Sequence, residues 1–215
     1  SAFRILIAAG PTRGPLDPVR YLTNRSSGSL GLTLAGRLTE LGARVTIVLG
    51  PVSLPVPPKV RVVPVETARE MLAAVRSEIK TSDAFVATAA VSDWRFADVR
   101  SQKMKKGAAS SMTVRLLKNP DILANAGAFK RKSGKGPVLV GFALETRALE
   151  ASARKKLREK NLDLIIGNTP ASFGSDRIRP LWIEKSGSLR RFPVMTKKAL
   201  SSEIGRWLAA ALRPS

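Results

Sequence analysis

Apolar residues in this chain come in short dense runs, separated by stretches where they recur every three or four positions. Residues 5–9 are apolar without a break, which predicts a strand covered on both faces, and the run stops at Gly10-Pro11. A polar stretch leads to Gly28. From about Ser29, leucines at 30, 34, 38 and 41 repeat at helical spacing, Leu32 and Ala35 widen the face, and Gly42 is placed to end the helix. Residues 45–49 predict the next strand, so the chain opens as a βαβ unit.

The alternation then continues. Four prolines between residues 51 and 58 make a loop, residues 60–65 a short strand, and Thr67 caps a helix that buries Met71, Leu72, Val75 and Ile79. Residues 83–90 predict a fourth, almost wholly apolar strand. Residues 96–111 turn small, polar and basic and are expected to form a mobile flap, followed by a strand over 112–117. Asn119-Pro120 then punctuates, with Asp121 in the first turn of a helix. A strand over 137–146, a helix from about Ala148 and a strand over 162–168 come next. A loop over 169–179 leads to a hairpin of residues 180–185 and 190–194, turning at 186–188. A last amphipathic helix from Thr196 carries Leu200, Ile204, Trp207, Leu208 and Leu212. The pattern predicts one domain over 1–215: a Rossmann-like three-layer α/β/α sandwich, mostly parallel, with an excursion around residues 96–117.

In such a sheet, ligands bind outside the carboxyl ends of the central strands. After the first strand, Ser26, Ser27 and Gly28 precede a helix whose N–H groups and dipole suit a phosphate or carboxylate. Arg13, Arg20 and Arg25 add charge there, and Asn24 an amide that donates and accepts. Asp93 follows the fourth strand, as a partner for a ribose hydroxyl, a metal ligand, or simply a turn or cap carboxylate. Lys103, Lys105 and Lys106 are either a solvated run or a cover for a polyphosphate. Lys156 and Lys160 are four apart on one helical face, where two cations repel unless an anion or solvent separates them.

Composition narrows the chemistry. The 215 residues contain no His and no Cys. His-based triads, Cys nucleophiles and His/Cys zinc sites are therefore excluded, and any metal must be a hard one such as Mg²⁺. The formal charge is +21, from 37 Lys+Arg against 16 Asp+Glu, which favours anionic partners, nucleic acid among them. The phenylalanines (3, 85, 96, 129, 142, 173 and 192) sit mostly in apolar contexts that suit a core rather than a base-stacking platform. No apolar run approaches the ~20 residues that span a bilayer, nothing resembles a secretory signal, and a chain without Cys fits the cytoplasm.

Familiar nucleotide folds do not match. There is no Gly-x-Gly-x-x-Gly after the first strand and no Walker loop, and Arg25 stands where a short-chain reductase would need a Lys four residues after Tyr21. An ordered set of other motifs is present. Gly10-Pro11-Thr12-Arg13, Asp17-Pro18-Val19-Arg20-Tyr21 and Asn24-Arg25-Ser26-Ser27-Gly28 come first. Ala89-Ala90-Val91-x-Asp93, Lys103-x-Lys105-Lys106 and Lys118-Asn119-Pro120-Asp121-Ile122 follow. Gly141-Phe142-Ala143-x-Glu145-Thr146, Lys160-Asn161-Leu162-Asp163 and Phe173-Gly174-Ser175-Asp176 complete it. Over nearly its whole length the chain resembles bacterial phosphopantothenoylcysteine synthetase, an enzyme of coenzyme A biosynthesis often fused behind a flavin-dependent decarboxylase.

The resemblance implies a ligase. 4′-Phosphopantothenate would attack the α-phosphorus of CTP, giving an acyl-cytidylate and pyrophosphate, and the amine of L-cysteine would then displace CMP. Asn24 would hold the acyl-phosphate, with Arg20 beside it, and Lys103 would steady the triphosphate. The residues around the nucleotide would be Ala89, Ala90, Val91, Asp93, Pro120, Asp121, Ile122, Leu123 and Phe142, with Lys156 and Lys160. Mg²⁺ would accompany CTP, with Asp93 as a candidate ligand, and no FMN is expected in this half. The resemblance further implies a homodimer whose flap lies near the subunit boundary, and a decarboxylase partner, separate or fused. Gly14 stands where the family usually has Glu, and Ser29 where Lys commonly follows Ser-Ser-Gly. The other reading is a basic nucleic-acid-binding α/β module without catalytic activity.

Overall fold

The structure, a computed structural model, describes residues 2–107, 110–169 and 175–213. The chain runs β1 (Arg4–Ala9), a small ribbon of β2 (Arg13–Pro15) and β3 (Tyr21–Thr23), α1 (Ser29–Glu40), β4 (Arg44–Leu49) and β5 (Arg61–Pro64). Next come α2 (Ala68–Glu78), β6 (Ala84–Ala87), a second ribbon of β7 (Trp94–Phe96) and β8 (Leu116–Lys118), and α3 (Ile122–Ser133). Then follow β9 (Val138–Leu144), α4 (Leu149–Glu159) and β10 (Leu164–Asn168). The last elements are β11 (Arg177–Ile178), β12 (Leu181–Glu184), β13 (Leu189–Arg191), β14 (Met195–Thr196) and α5 (Lys197–Ala211).

Eight strands make one sheet in the order β13-β12-β10-β9-β6-β1-β4-β5. All neighbours from β10 to β5 are parallel; β12 and β13 are added antiparallel at one edge. The chain builds outward from β1 to one side through β4 and β5, then returns to start the other side with β6. The order reverses between β1 and β6, and their carboxyl ends open the crevice where such sheets bind ligands. Alternation along each strand splits the core in two. Ile5 and Ile7 pack with Leu34 and Leu38 of α1 and with Leu200 and Ile204 of α5. Leu6 and Ala8 pack with Met71 and Val75 of α2, Ala126 of α3 and Leu157 of α4. Because both faces are covered, the strands read as unbroken apolar runs.

The Rossmann-like sandwich expected from the pattern is therefore the fold observed, with differences at strand ends. The fourth strand is in the sheet only over Ala84–Ala87, because β1 ends at Gly10 (φ +79°) and leaves Ala90 one isolated bridge to Pro11. The strand expected over 112–117 is confined to Leu116–Lys118, where it finds β7 to pair with. Asp121 caps α3 from outside rather than lying in its first turn. The β2–β3 ribbon and the pair β11–β14 were not expected; two or three residues are too few to show a period. Phe173 and Gly174 of the expected motif lie outside the described residues.

Helix α1 lies unusually close to the sheet. A Cβ on Gly31 would stand 2.3 Å from the Ala9 Cβ and 2.6 Å from Thr88 Oγ1. Only a glycine lets the helix settle at that depth, and the start of α1 is thereby held against the ends of β1 and β6.

Candidate active site

The loop after β1 turns back on itself at two left-handed glycines. Gly10 and Gly28 (φ +72°) face each other beside Val52, and a Cβ on Gly28 would lie 2.7 Å from Val52 Cγ1. Gly28 is the N-cap of α1, and no side chain caps the helix. Ser26 and Ser27 turn their hydroxyls onto the N–H groups of Gly28 and Ser29, both at 3.3 Å. Lys197, at the start of α5, brings its Nζ 2.7 Å from Ser29 Oγ.

One carboxylate organises the rest of this loop. Asp17 is buried and accepts from the N–H groups of Val19 and Arg20, both at 2.8 Å, and from that of Met104 at 3.1 Å. The Arg20 guanidinium pairs with the same carboxylate and donates to the Met104 carbonyl at 2.7 Å. Burial acts to raise the Asp17 pKa. The bonds from Val19, Met104 and Arg20 outweigh it, and the pKa falls from 3.8 to about 2. The clamp fixes residues 103–106 beside the loop: Arg20, Lys103, Lys105 and Lys106 line one basic basin of about 700 Å³.

A second cleft, about 210 Å³, opens at the carboxyl ends of β6 and β9. Ala89, Val91 and Asp93 form one wall, and Pro120, Asp121, Ile122 and Leu123 another. Phe142 and Lys160 complete it. The loop after β6 is pinned at Ser92 by hydrogen bonds to both of its backbone groups. The Ser92 N–H donates to Thr12 Oγ1 at 3.1 Å, and Asn119 Nδ2 to the Ser92 carbonyl at 2.8 Å. Asn24 joins the first loop to this cleft by donating from Nδ2 to the Val91 carbonyl at 3.1 Å. Asp93 is exposed and precedes a strand, so it is no helix cap. Ala90 stands behind the wall on its bridge to Pro11.

Lys160 lies just past α4 with its Nζ 2.7 Å from Asp121 Oδ2. Desolvation raises the Asp121 pKa, but the Lys160 bond and the Ala124 N–H outweigh it, so the carboxyl stays below its ordinary value. Gly127 permits this approach: a Cβ there would meet the Lys160 carbonyl at 1.9 Å. Lys156 does not line the cleft. It pairs with Glu145 at 2.6 Å, and that bond lowers the Glu145 pKa against desolvation. The two lysines thus need no anion between them, since each has its own carboxylate.

Of the residues singled out from sequence, the fold brings Asp93, Phe142, Lys160 and the 120–123 turn together, with Asn24 bonded to the Val91 carbonyl of the same cleft, while Arg20 and Lys103 line a basin of their own. Ser26, Ser27 and Gly28 sit at the start of α1, apart from the cleft walls, and Lys156 is set aside. Asp17 and Lys197 went unassigned. Asp17-x-x-Arg20 is the spacing of a side chain that accepts from its own following turn, a signal present in the sequence; nothing in the pattern places Lys197 by Ser29.

Residues 1–212 match the family described as DNA/pantothenate metabolism flavoprotein C-terminal domain. The chain belongs to this family. Among curated relatives, the coenzyme A biosynthesis bifunctional protein CoaBC of Vibrio vulnificus is 44% identical over 207 residues, covering 93% of this chain and 50% of that protein. The CoaBC protein of Bacillus subtilis is 43% identical over 211 residues, with 96% and 51% covered. The chain spans about half the length of these relatives. The crystal structure of the C-terminal domain of a CoaBC protein superposes with a TM-score of 0.84 at 37% identity, covering 98% of this chain and 95% of that one. A complex of the Cab2 H337A mutant with phosphopantothenate-cysteine shares the fold, with a TM-score of 0.75 at 18% identity, covering 97% and 88%.

Proposed function

We propose that this protein joins 4′-phosphopantothenate to L-cysteine through an acyl-cytidylate, using CTP, as a phosphopantothenoylcysteine synthetase of coenzyme A biosynthesis. The observation that carries the reading is the meeting of Asn24, Asp93, Phe142 and Lys160 at one cleft, the loop that brings Asn24 there also carrying Arg20 of the Arg20–Lys103 basin. Membership of the family and the CoaBC names of its relatives support it.

A chain without His or Cys can run this chemistry, because the substrates supply both nucleophiles. The protein has to align them and offset charge. The 210 Å³ cleft suits a base and ribose, with Phe142 and Leu123 as apolar walls and Ala89 and Val91 at the edge. The triphosphate then extends over the basin, where Lys103 counters its charge. Arg20, oriented by Asp17, faces the same space. Asn24 spends one amide hydrogen on Val91; its second can donate to the acyl-phosphate, and its Oδ1 can accept from the incoming amine. The amide thereby serves the second half-reaction most.

Among the described residues no cluster of three or more acidic side chains could hold a metal. The unpaired Asp93 carboxylate fits a Mg²⁺ carried mainly by the nucleotide's phosphates. That ion would supply charge neutralisation, and flavin has no part in the reading. Exposed Trp94, Val99, Met112, Val114, Leu116 and Leu117 on and beside the β7–β8 ribbon support a homodimer through this excursion. No helix among the described residues is long and apolar enough to cross a membrane, and the cytoplasm is the compartment we assign. A decarboxylase, fused or separate, would supply the partner activity.

The test is a pyrophosphate-release assay. Release should require both CTP and 4′-phosphopantothenate, and CMP should appear only when L-cysteine is added. No release with either CTP or ATP overturns the proposal; release with ATP alone keeps the ligase but corrects its nucleotide.

A further inference from the structure

Two cavities run together toward the amino end of the sheet, the end away from the candidate active site. The first is a slot of about 380 Å³ between α2 and α3. Its wall is Leu72, Val75, Ile79, Ile122, Ala126 and Phe129, and no acidic residue lines it. Arg76 and Asn125 hydrogen bond across the two helices at 2.7 Å, and Lys80 and Lys132 stand at the margin. The second is a broader basin of about 760 Å³, sharing Ile79, Lys80 and Phe129 with the slot. Arg4, Arg44, Lys80 and Lys135 line this basin. Its carboxylate, Asp83, is taken up by Arg4 at 3.2 Å, while Arg44, Lys80 and Lys135 have no acidic partner among the described residues.

We propose that this double cavity binds one soluble amphiphilic organophosphate, its apolar tail in the α2–α3 slot and its phosphate in the basin beside Lys80 and Lys135. An apolar slot gains by excluding water from its wall, and its size falls in the ~300–1,000 Å³ range of small-molecule sites. The unpaired cations at its mouth select an anionic head over a neutral one. A concave slot also suits a single tail better than a flat bilayer surface. Ile122 lines both this slot and the nucleotide cleft, so a tail that moves the start of α3 bears on nucleotide affinity, and by linkage the reverse holds. The site also gives part of the +21 charge a task that CTP and a phosphomonoester leave undone.

The experiment is calorimetric titration of the full chain with decyl phosphate below its micelle concentration, with decyl maltoside as the neutral-headed control. One decyl phosphate should bind per chain, at least tenfold tighter than decyl maltoside. Ala128, exposed at the slot, is changed to Trp to plug it, and this should weaken decyl phosphate at least tenfold. The double variant Lys80→Glu/Lys135→Glu, on exposed side chains, should weaken it similarly and flatten its salt dependence. Thermal melting checks that both variants fold. No saturable binding, equal binding of the two probes, or binding untouched by either variant overturns the proposal.

Discussion

Two glycines in α1 provide an internal comparison of space against propensity. Alanine at either position gains about 0.8–1.0 kcal/mol of helix propensity over glycine. At Gly36 the new methyl would meet only the Pro57 ring, at 3.3 Å, and a shift of a few tenths of an ångström clears it. At Gly31 it would lie 2.3 Å from the Ala9 Cβ, more than an ångström inside the ~3.5–4.0 Å at which carbons attract. Ala9 belongs to a central strand and cannot rotate aside. Overpacking costs about 1–3 kcal/mol, and two contacts under 3 Å place Gly31 in the upper part of that range, about 2–3, so after the propensity gain Gly31→Ala should lose about 1–2 kcal/mol while Gly36→Ala gains up to about 1. With about 2–4 °C per kcal/mol for a chain of this size, Gly31→Ala should melt ~2–8 °C lower and Gly36→Ala up to ~4 °C higher. Circular dichroism melts, repeated in urea, measure both. The reasoning fails if the two variants move in the same direction, or if Gly31→Ala melts at or above the parent. Because Thr88 must also yield, Gly31→Ala should weaken nucleotide binding, whereas Gly36→Ala should leave it alone.

Further outcomes follow from the site. Asn24→Asp should slow amide formation at least tenfold while pyrophosphate release falls less; equal loss in both half-reactions argues against the assigned role. Lys160→Met should raise the KM for CTP severalfold, since it strips the cleft of a cation and leaves Asp121 unpaired, and Lys156→Met should do far less; the reverse ranking removes Lys160 from the nucleotide site. Asp17 has a folded pKa of about 2 against 3.8 in its ordinary state. Its stabilising contribution is therefore complete above pH ~3.8 and lost as pH falls through ~2. Asp17→Asn should remove that acid limb and hasten tryptic cleavage at residues 103–106 at neutral pH. Unchanged cleavage would show that the clamp does not hold the lysines.

Much of the architecture is legible because strands covered on both faces write themselves as apolar runs, and helices such as α1 and α5 keep one apolar stripe. The order of strands follows once each run alternates with a helix. Short pieces escape: β2 and β3 are three residues each, set by the turn around Asp17 rather than by any period. At the cleft, Asn24 and Asp93 were legible from residue type and place in the chain, whereas Phe142 and Lys160 were expected there only through the resemblance to the family. What spacing on a helix could not reveal is pairing across the chain. Lys156 and Lys160 look equivalent as i and i+4 neighbours, yet Glu145 claims one and Asp121 the other. Lys197 meets Ser29 only because α5 packs back against α1, which brings a cation to the start of α1.

Asp17 holds the Arg20 guanidinium and the Met104 N–H on a single oxygen, Oδ2. The Arg20 side chain and the segment that carries Lys103 thus share a single anchor and cannot be repositioned separately. Any movement that draws the lysine-bearing segment away from Asp17 also takes the Met104 carbonyl from the Arg20 guanidinium, so the two basic elements of the basin loosen together.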